Sequence, residues 1–280
     1  MTTQPMLELN NGVRIPQLGF GTFRVDEAQT QRVVETALEV GYRHVDTAAG
    51  YYNEAGVGAA LRASGLPREE VFLTTKLRNG DQGHDRALRA FEDSRAALGV
   101  DVVDLYLIHW PVPAKGLYKE TWRALEKLYA DGAVRAIGIS NFLPEHVEDL
   151  LRDAEVTPAV DQIEVHPSFQ QRDAQRAATD AGMVVEAYAP LGQAEDLALP
   201  GVVAVAEELG VTPAQVVLRW QLQQGRVALP KSVTPERITT NFDVLGFELD
   251  EAQMATLDGL DSDVRMFPDP RTAQFTQFRD

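Results

Sequence analysis

Short runs of β-branched, aliphatic and aromatic residues recur along the chain, each followed by a longer stretch of helical periodicity and then by glycine or proline. The runs end near Phe20 (QLGF), Val45 (YRHV), Thr75 (VFLTT), Ile108 (DLYLI), Ile139 (RAIGI), Ile163 (AVDQI), Ala187 (VVEA) and Leu229 (VAL). Their spacing, about one βα unit of ~30 residues, predicts parallel strands alternating with helices. Residues 28–40 set Val33, Ala37 and Val40 on one helical face before Gly41. Residues 84–98 stop at Gly99, and 121–129 align Trp122, Leu125 and Leu128 ahead of Asp131-Gly132. Pro144 and Pro213 stand at helix starts, where a missing N–H costs nothing. Ahead of the first run, LELNNGVRIP reads as a β-hairpin turned at Asn11-Gly12, set to plug the bottom of a barrel.

Eight units without a hairpin-rich section point to an α/β fold of the (β/α)8 TIM-barrel type, one domain over residues 1–280. An open doubly wound sheet competes with it. That sheet needs a glycine-rich phosphate turn after its first strand, and GFGTF (19–23) lacks both the third glycine and the helix start.

Charge and cysteine content narrow the function. The formal net charge of −16 argues against non-specific nucleic-acid binding and against an anionic membrane surface. An anionic ligand therefore requires a local positive cluster. The chain has no cysteine, which excludes disulfides, thiolate chemistry and sulfur-bound zinc, and its five histidines lack metal-ligand spacing. The N-terminal MTTQPMLELNNGVRIP shows neither the basic region nor the apolar run of a signal peptide, and no apolar stretch is long enough to span a bilayer. The expected location is the cytoplasm.

In such a barrel, reactive side chains stand where strands run into βα loops. Asp46, Lys76 and His109 end the second, third and fourth strands, and Tyr51 lies in the loop after Asp46. Adjacent units would bring all four to one mouth. Taken singly, each has a plainer reading. Asp46 could cap a helix, His109 could be a core histidine between Ile108 and Trp110, Tyr51 could simply pack, and Lys76 could be the Schiff-base nucleophile of a lyase.

Together these segments resemble the aldo-keto reductase family. GYRHVDTAAGYYNEAGVG (41–58) is similar to its signature, TTKL (74–77) to its lysine motif and DLYLIHWP (104–111) to its histidine motif. GISNF (138–142), DQIEVHP (161–167), AYAPLG (187–192) and LPKSVTPERI (229–238) follow in the order of its cofactor segments. The likeness runs from about residue 7 to residue 260 and is greatest to bacterial 2,5-diketo-D-gluconate reductase-like members. Only five of the 26 basic residues are lysine, and two of those, Lys76 and Lys231, fall within these motifs.

The resemblance implies a monomeric, NADPH-dependent reductase of aldehydes and ketones, with keto sugars or small dicarbonyls as candidate substrates. Tyr51 would donate the proton, Lys76 would lower its pKa, Asp46 would pair with Lys76, and His109 would orient the substrate oxygen. Carried over position by position, Thr22, Asp46, Ser140, Asn141, Gln162, Tyr188, Leu191, Lys231, Ser232, Val233, Arg237 and Asn241 would hold the cofactor. Within that set Ser140, Asn141 and Gln162 would bond the carboxamide and Tyr188 would stack on the nicotinamide. Lys231, Ser232 and Arg237 would take the 2′-phosphate, and Asn241 would reach the adenine. Phe23, Tyr52, His109 and Trp110 would line the substrate pocket. The alternative is an NADPH-binding, redox-sensing subunit with little turnover.

Three departures stand out. Where relatives carry a bulky residue, then tyrosine, then glycine, this chain reads Gly50-Tyr51-Tyr52, with Asn53-Glu54 fixing Tyr51 as the acid. Arg78 stands where many relatives have tryptophan; it would either add a cation near the opening, favouring acidic or polyhydroxylated substrates, or simply point to solvent. The tail 262–280 carries Met266, Phe267, Phe275 and Phe278, too aromatic for a plain disordered end, and is expected over the active-site mouth or against a helix.

Overall fold

In the computed structural model, which describes residues 4–276, Asn11-Gly12 turns the chain between β1 (Met6–Glu8) and β2 (Arg14–Pro16). The pair is antiparallel, with Leu7 opposite Ile15. Gly12 adopts φ +81°, a left-handed conformation that a β-carbon disfavours. Eight parallel strands follow: β3 (Phe20–Gly21), β4 (His44–Asp46), β5 (Phe72–Leu77), β6 (Val103–Ile108), β7 (Val134–Ser140), β8 (Val160–Glu164), β9 (Val184–Tyr188) and β10 (Val227–Leu229). Each pairs with the next in chain order. The ring is closed by Gly19 N–H to Ala228 C=O (2.9 Å), Ala228 N–H to Gln17 C=O (2.9 Å) and Gly21 N–H to Pro230 C=O (3.0 Å). The eight expected strands are all present, in a barrel rather than an open sheet.

Ten α-helices surround them among the described residues: α1 (Glu27–Val40), α2 (Glu54–Ala63), α3 (His84–Leu98), α4 (Tyr118–Ala130), α5 (Pro144–Leu151), α6 (Arg172–Asp180), α7 (Pro200–Leu209), α8 (Pro213–Gln223), α9 (Pro235–Phe242) and α10 (Glu251–Asp258). The Asp26 carboxylate caps α1 by accepting from Ala28 N–H, one residue ahead of the expected start. The α4 helix begins three residues before 121, because its first turn is polar except for Tyr118 and carries no apolar period. Pro144 and Pro213 each open their helix as expected.

Alternation along the strands decides what fills the barrel. On β6, Tyr106 and Ile108 pack outward against the helices, while Leu105 and Leu107 belong to the inner cluster. The same parity on β5 turns Leu73 and Leu77 outward, leaving Phe72, Thr74 and Lys76 inside. At the N-terminal end the interior is apolar: Phe72, Leu105, Ala136, Val160 and Val227 meet Leu9 and Ile15 of the hairpin segment, which closes that end as expected. Toward the other end the inward positions become Asp46, Lys76, His109, Ser140, Gln162 and Glu186. All of these are buried, and they leave a polar floor beneath the loops.

Candidate active site

Lys76 is fully buried at the C-terminal end of β5, and its ammonium has three oxygen neighbours. It donates to Asp46 Oδ1 at 2.6 Å and to the Thr47 carbonyl at 3.0 Å, and it lies 3.5 Å from the Tyr51 hydroxyl. Asp46 and Thr47 follow from β4, paired in register with β5. A single turn of 3₁₀ helix, Ala49–Tyr51, brings the tyrosine back over the strand ends. The Tyr51 hydroxyl is also 3.5 Å from Nε2 of His109, which follows β6. The structure thus brings Asp46, Tyr51, Lys76 and His109 together at one mouth.

Burial holds the Tyr51 phenol well above its ordinary pKa, and the Asp46 charge pushes the same way. The lowering expected of the Lys76 ammonium, 3.5 Å away, is outweighed by these two effects. The ammonium's nearest partner is the Asp46 carboxylate, at 2.6 Å. Burial, assisted by Lys76, holds His109 well below the usual histidine range, so its imidazole is neutral.

A polar layer backs these four groups. Gln162 Nε2 donates to Asp46 Oδ2 (2.9 Å) and to Glu186 Oε2 (2.8 Å), so both amide hydrogens are committed and Oε1 remains as its acceptor. Asn141 Nδ2 likewise donates to the His109 carbonyl (2.9 Å) and to Ser140 Oγ (3.0 Å), while Asn141 Oδ1 accepts from the Tyr188 hydroxyl at 2.7 Å. Burial and the Asp46 charge push Glu186 up to about 8. Sequence reasoning missed Glu186: in VVEAY it looks like the solvent-facing residue of an alternating strand, and barrel closure is what makes it interior.

From this floor a cleft of about 710 Å³ runs outward. Asp46, Tyr51, His109, Trp110, Ser140, Asn141, Gln162 and Tyr188 line one end, and Leu191, Lys231, Ser232, Arg237 and Asn241 line the other. Phe23 lies on the wall with its ring 5.1 Å from that of Tyr51. Three expected residues stand off this wall. Thr22 is buried behind it, donating to the Asp46 carbonyl at 3.0 Å. Val233 is 44% exposed on the loop after β10. Tyr52, in a left-handed conformation at φ +58°, interacts with Arg78. Arg78 itself donates to Asp81 at 2.7 Å, so it does not present a free cation to the opening.

Other cleft residues went unexpected. Arg24 lies on the wall, and its carbonyl accepts from Lys231 Nζ at 3.2 Å. Burial and then the Arg24 charge lower the Lys231 pKa. Its position one residue after Phe23, in the first βα loop, was the available signal. In the tail, Phe267 joins the cleft wall, while Phe275 packs edge-on to Trp110 at 5.1 Å. Phe278 lies outside the described residues. Among the described residues no cluster of metal-ligating side chains occurs, and no single helix is long and apolar enough to cross a membrane.

Residues 17–262 match the family model described as the aldo/keto reductase family. The chain is 46% identical over 265 residues to the glyoxal reductase of Bacillus subtilis (94% of this chain, 95% of that protein). It is 45% identical over 290 residues to the morphine 6-dehydrogenase of Pseudomonas putida (98% of each). A crystal structure of a Gox0644 mutant in complex with NADPH superposes with a TM-score of 0.94 at 44% identity, covering 98% of this chain and 100% of that one.

Proposed function

The chain belongs to the aldo/keto reductase family, and from that premise we propose that it reduces aldehydes and ketones to alcohols with NADPH, Tyr51 giving the proton. The contact series Asp46–Lys76–Tyr51–His109, at one end of a cleft whose other end is cationic, carries this reading.

The cleft suits the cofactor chemically. Lys231, Arg237 and Arg24 crowd like charges at one end of an otherwise acidic protein, an arrangement that an anionic phosphate relieves. At the other end Gln162 and Asn141 have committed their amide hydrogens and offer acceptors to a carboxamide NH2. When bound, the nicotinamide supplies the hydride.

The protein's own groups handle the proton. Tyr51 is held protonated at neutral pH, so its O–H is available as the carbonyl oxygen becomes an alkoxide. The phenolate left behind lies 3.5 Å from the Lys76 ammonium, which stabilises it at the moment that charge appears. Asp46 supplies the counter-charge to the fully buried Lys76 ammonium, at 2.6 Å. The neutral His109 turns Nε2 toward the same site and, in the tautomer that carries the hydrogen there, donates to the carbonyl oxygen and orients it.

The wall formed by Phe23, Trp110 and Phe267 suits a compact carbonyl with an apolar flank. Kinship with a glyoxal reductase supports small dicarbonyls, with keto sugars as a second class. The reading also takes residues 1–280 as one catalytic domain, acting as a cytoplasmic monomer on free small molecules and not on nucleic acid. It is supported by the continuous barrel core and the net charge of −16.

A panel of glyoxal, a keto sugar and an aromatic aldehyde, with NADPH consumption followed optically, tests the proposal. Consumption with at least one carbonyl is expected. Borohydride trapping of a substrate on Lys76 without NADPH consumption would instead identify a Schiff-base lyase.

A further inference from the structure

Glu164 ends β8, fully buried, and it stands off the cleft wall. One of its carboxylate oxygens accepts the Met266 N–H at 2.7 Å, and the other accepts the Phe267 N–H at 3.3 Å. The carboxylate also meets His166 Nε2 at 3.2 Å, and His166 Nδ1 meets Asp196 Oδ2 at 2.8 Å. Asp196 accepts in turn from the Ser168 backbone (2.9 Å) and hydroxyl (2.7 Å). The Ser168 carbonyl accepts two more tail amides, those of Ser262 (3.1 Å) and Val264 (3.2 Å). Burial alone would strip the proton from His166, but the two flanking carboxylates outweigh it and hold the imidazole up at about 9, so it is charged at neutral pH.

Such a series is costly to bury, and none of the three charged side chains is on the cleft wall. Its connections lead to the tail. The two amides bound to Glu164 flank the Cα of Met266 and lead directly into Phe267. The Phe267 ring lies 5.2 Å from Tyr188 and 6.0 Å from Phe23, on the wall of the site. Phe267 is only half-buried, so its place on the wall depends on the backbone anchor as well as on packing.

We propose that Glu164 is a positioning residue that sets which carbonyls the site accepts: clamped by His166, its carboxylate fixes the tail at Met266–Phe267, so that Phe267 supplies an aromatic face for substrates with flat apolar substituents. This rests on the reductase reading above. An aromatic aldehyde gains from that face, whereas glyoxal is too small to use it.

Two variants test the clamp. Glu164→Gln replaces one acceptor oxygen with an NH2 group and removes a counter-charge from His166, while Phe267→Ala keeps the clamp and removes the ring. Hydrogen exchange of the tail over residues 262–270 should quicken about tenfold or more in Glu164→Gln, with the barrel strands unchanged. For benzaldehyde relative to glyoxal, kcat/KM should fall about five- to tenfold in both variants, through KM, the size of one aromatic contact. The double variant should lose no more than Phe267→Ala alone. Should Glu164→Gln fail to fold, Met266→Pro removes the shorter donor without touching the barrel, and the same loss of selectivity is expected. Unchanged tail exchange, or losses that add in the double variant, would overturn the proposal. The exchange measurement needs no turnover, so a failed clamp is distinguishable from a failed reductase.

Discussion

Tyr51 and Tyr52 are adjacent phenols in opposite surroundings. Tyr51 reaches Lys76 and His109, whereas Tyr52 sits in a left-handed conformation against Arg78. Tyr52→Phe should therefore leave both kcat and KM within a few-fold of the wild type, and a dead Tyr52→Phe enzyme would show that the register of the acid is wrong. His166 offers a second test, through pH. Its pKa is raised from 6.5 to about 9 in the folded protein. The folded state thus binds a proton that the unfolded chain lacks, and the stability this contributes is complete below 6.5 and lost as pH rises through about 9. Urea midpoints should fall across that window in the wild type and fall less in His166→Gln. Parallel slopes would contradict the bridged imidazolium. Asp46, Lys76 and His109 were legible in the sequence because each is a polar group closing an apolar run, and Tyr51 through its place in the short loop after Asp46. Glu186 and Asp196 were not, since nothing local distinguishes a buried carboxylate from a solvated one.

At the scale of elements, apolar periodicity was enough for the hairpin, the eight strands and the starts of α5 and α8, where proline marks the boundary. It gave less at strand ends: the apolar runs stop at Val45, Thr75 and Ala187, while the strands continue through Asp46, Leu77 and Tyr188. The discrepancy has a physical cause, because the interior turns polar where the site begins and the hydrophobic signal fades with it. Close contacts between elements were equally hidden. Gly58 on α2 faces the end of α3, and a β-carbon there would lie 2.1 Å from the Leu98 carbonyl oxygen. Backbone cannot yield as a side chain can, so Gly58→Ala should destabilise the protein by roughly 1–3 kcal/mol or more. A urea midpoint equal to the wild type's would show that the two helices separate freely.

At the scale of the whole molecule, the proposed preference for NADPH rests on charge. A chain with a net charge of −16 repels phosphates in general, whereas Arg24, Lys231 and Arg237 gather positive charge on the cleft wall. Arg237→Ala should raise KM for NADPH about tenfold or more, the scale of one charge-assisted hydrogen bond, and leave KM for NADH nearly unchanged. Equal effects on both would remove Arg237 from the 2′-phosphate. The proposed reduction depends most on a proton passing from Tyr51 to a carbonyl oxygen, and the direct measurement compares NADPH consumption by the wild type and Tyr51→Phe. Cofactor binding is followed in parallel by tryptophan fluorescence. Removal of one hydroxyl should lower kcat about 10²- to 10⁴-fold while NADPH binds as before. Undiminished turnover by Tyr51→Phe would contradict the account.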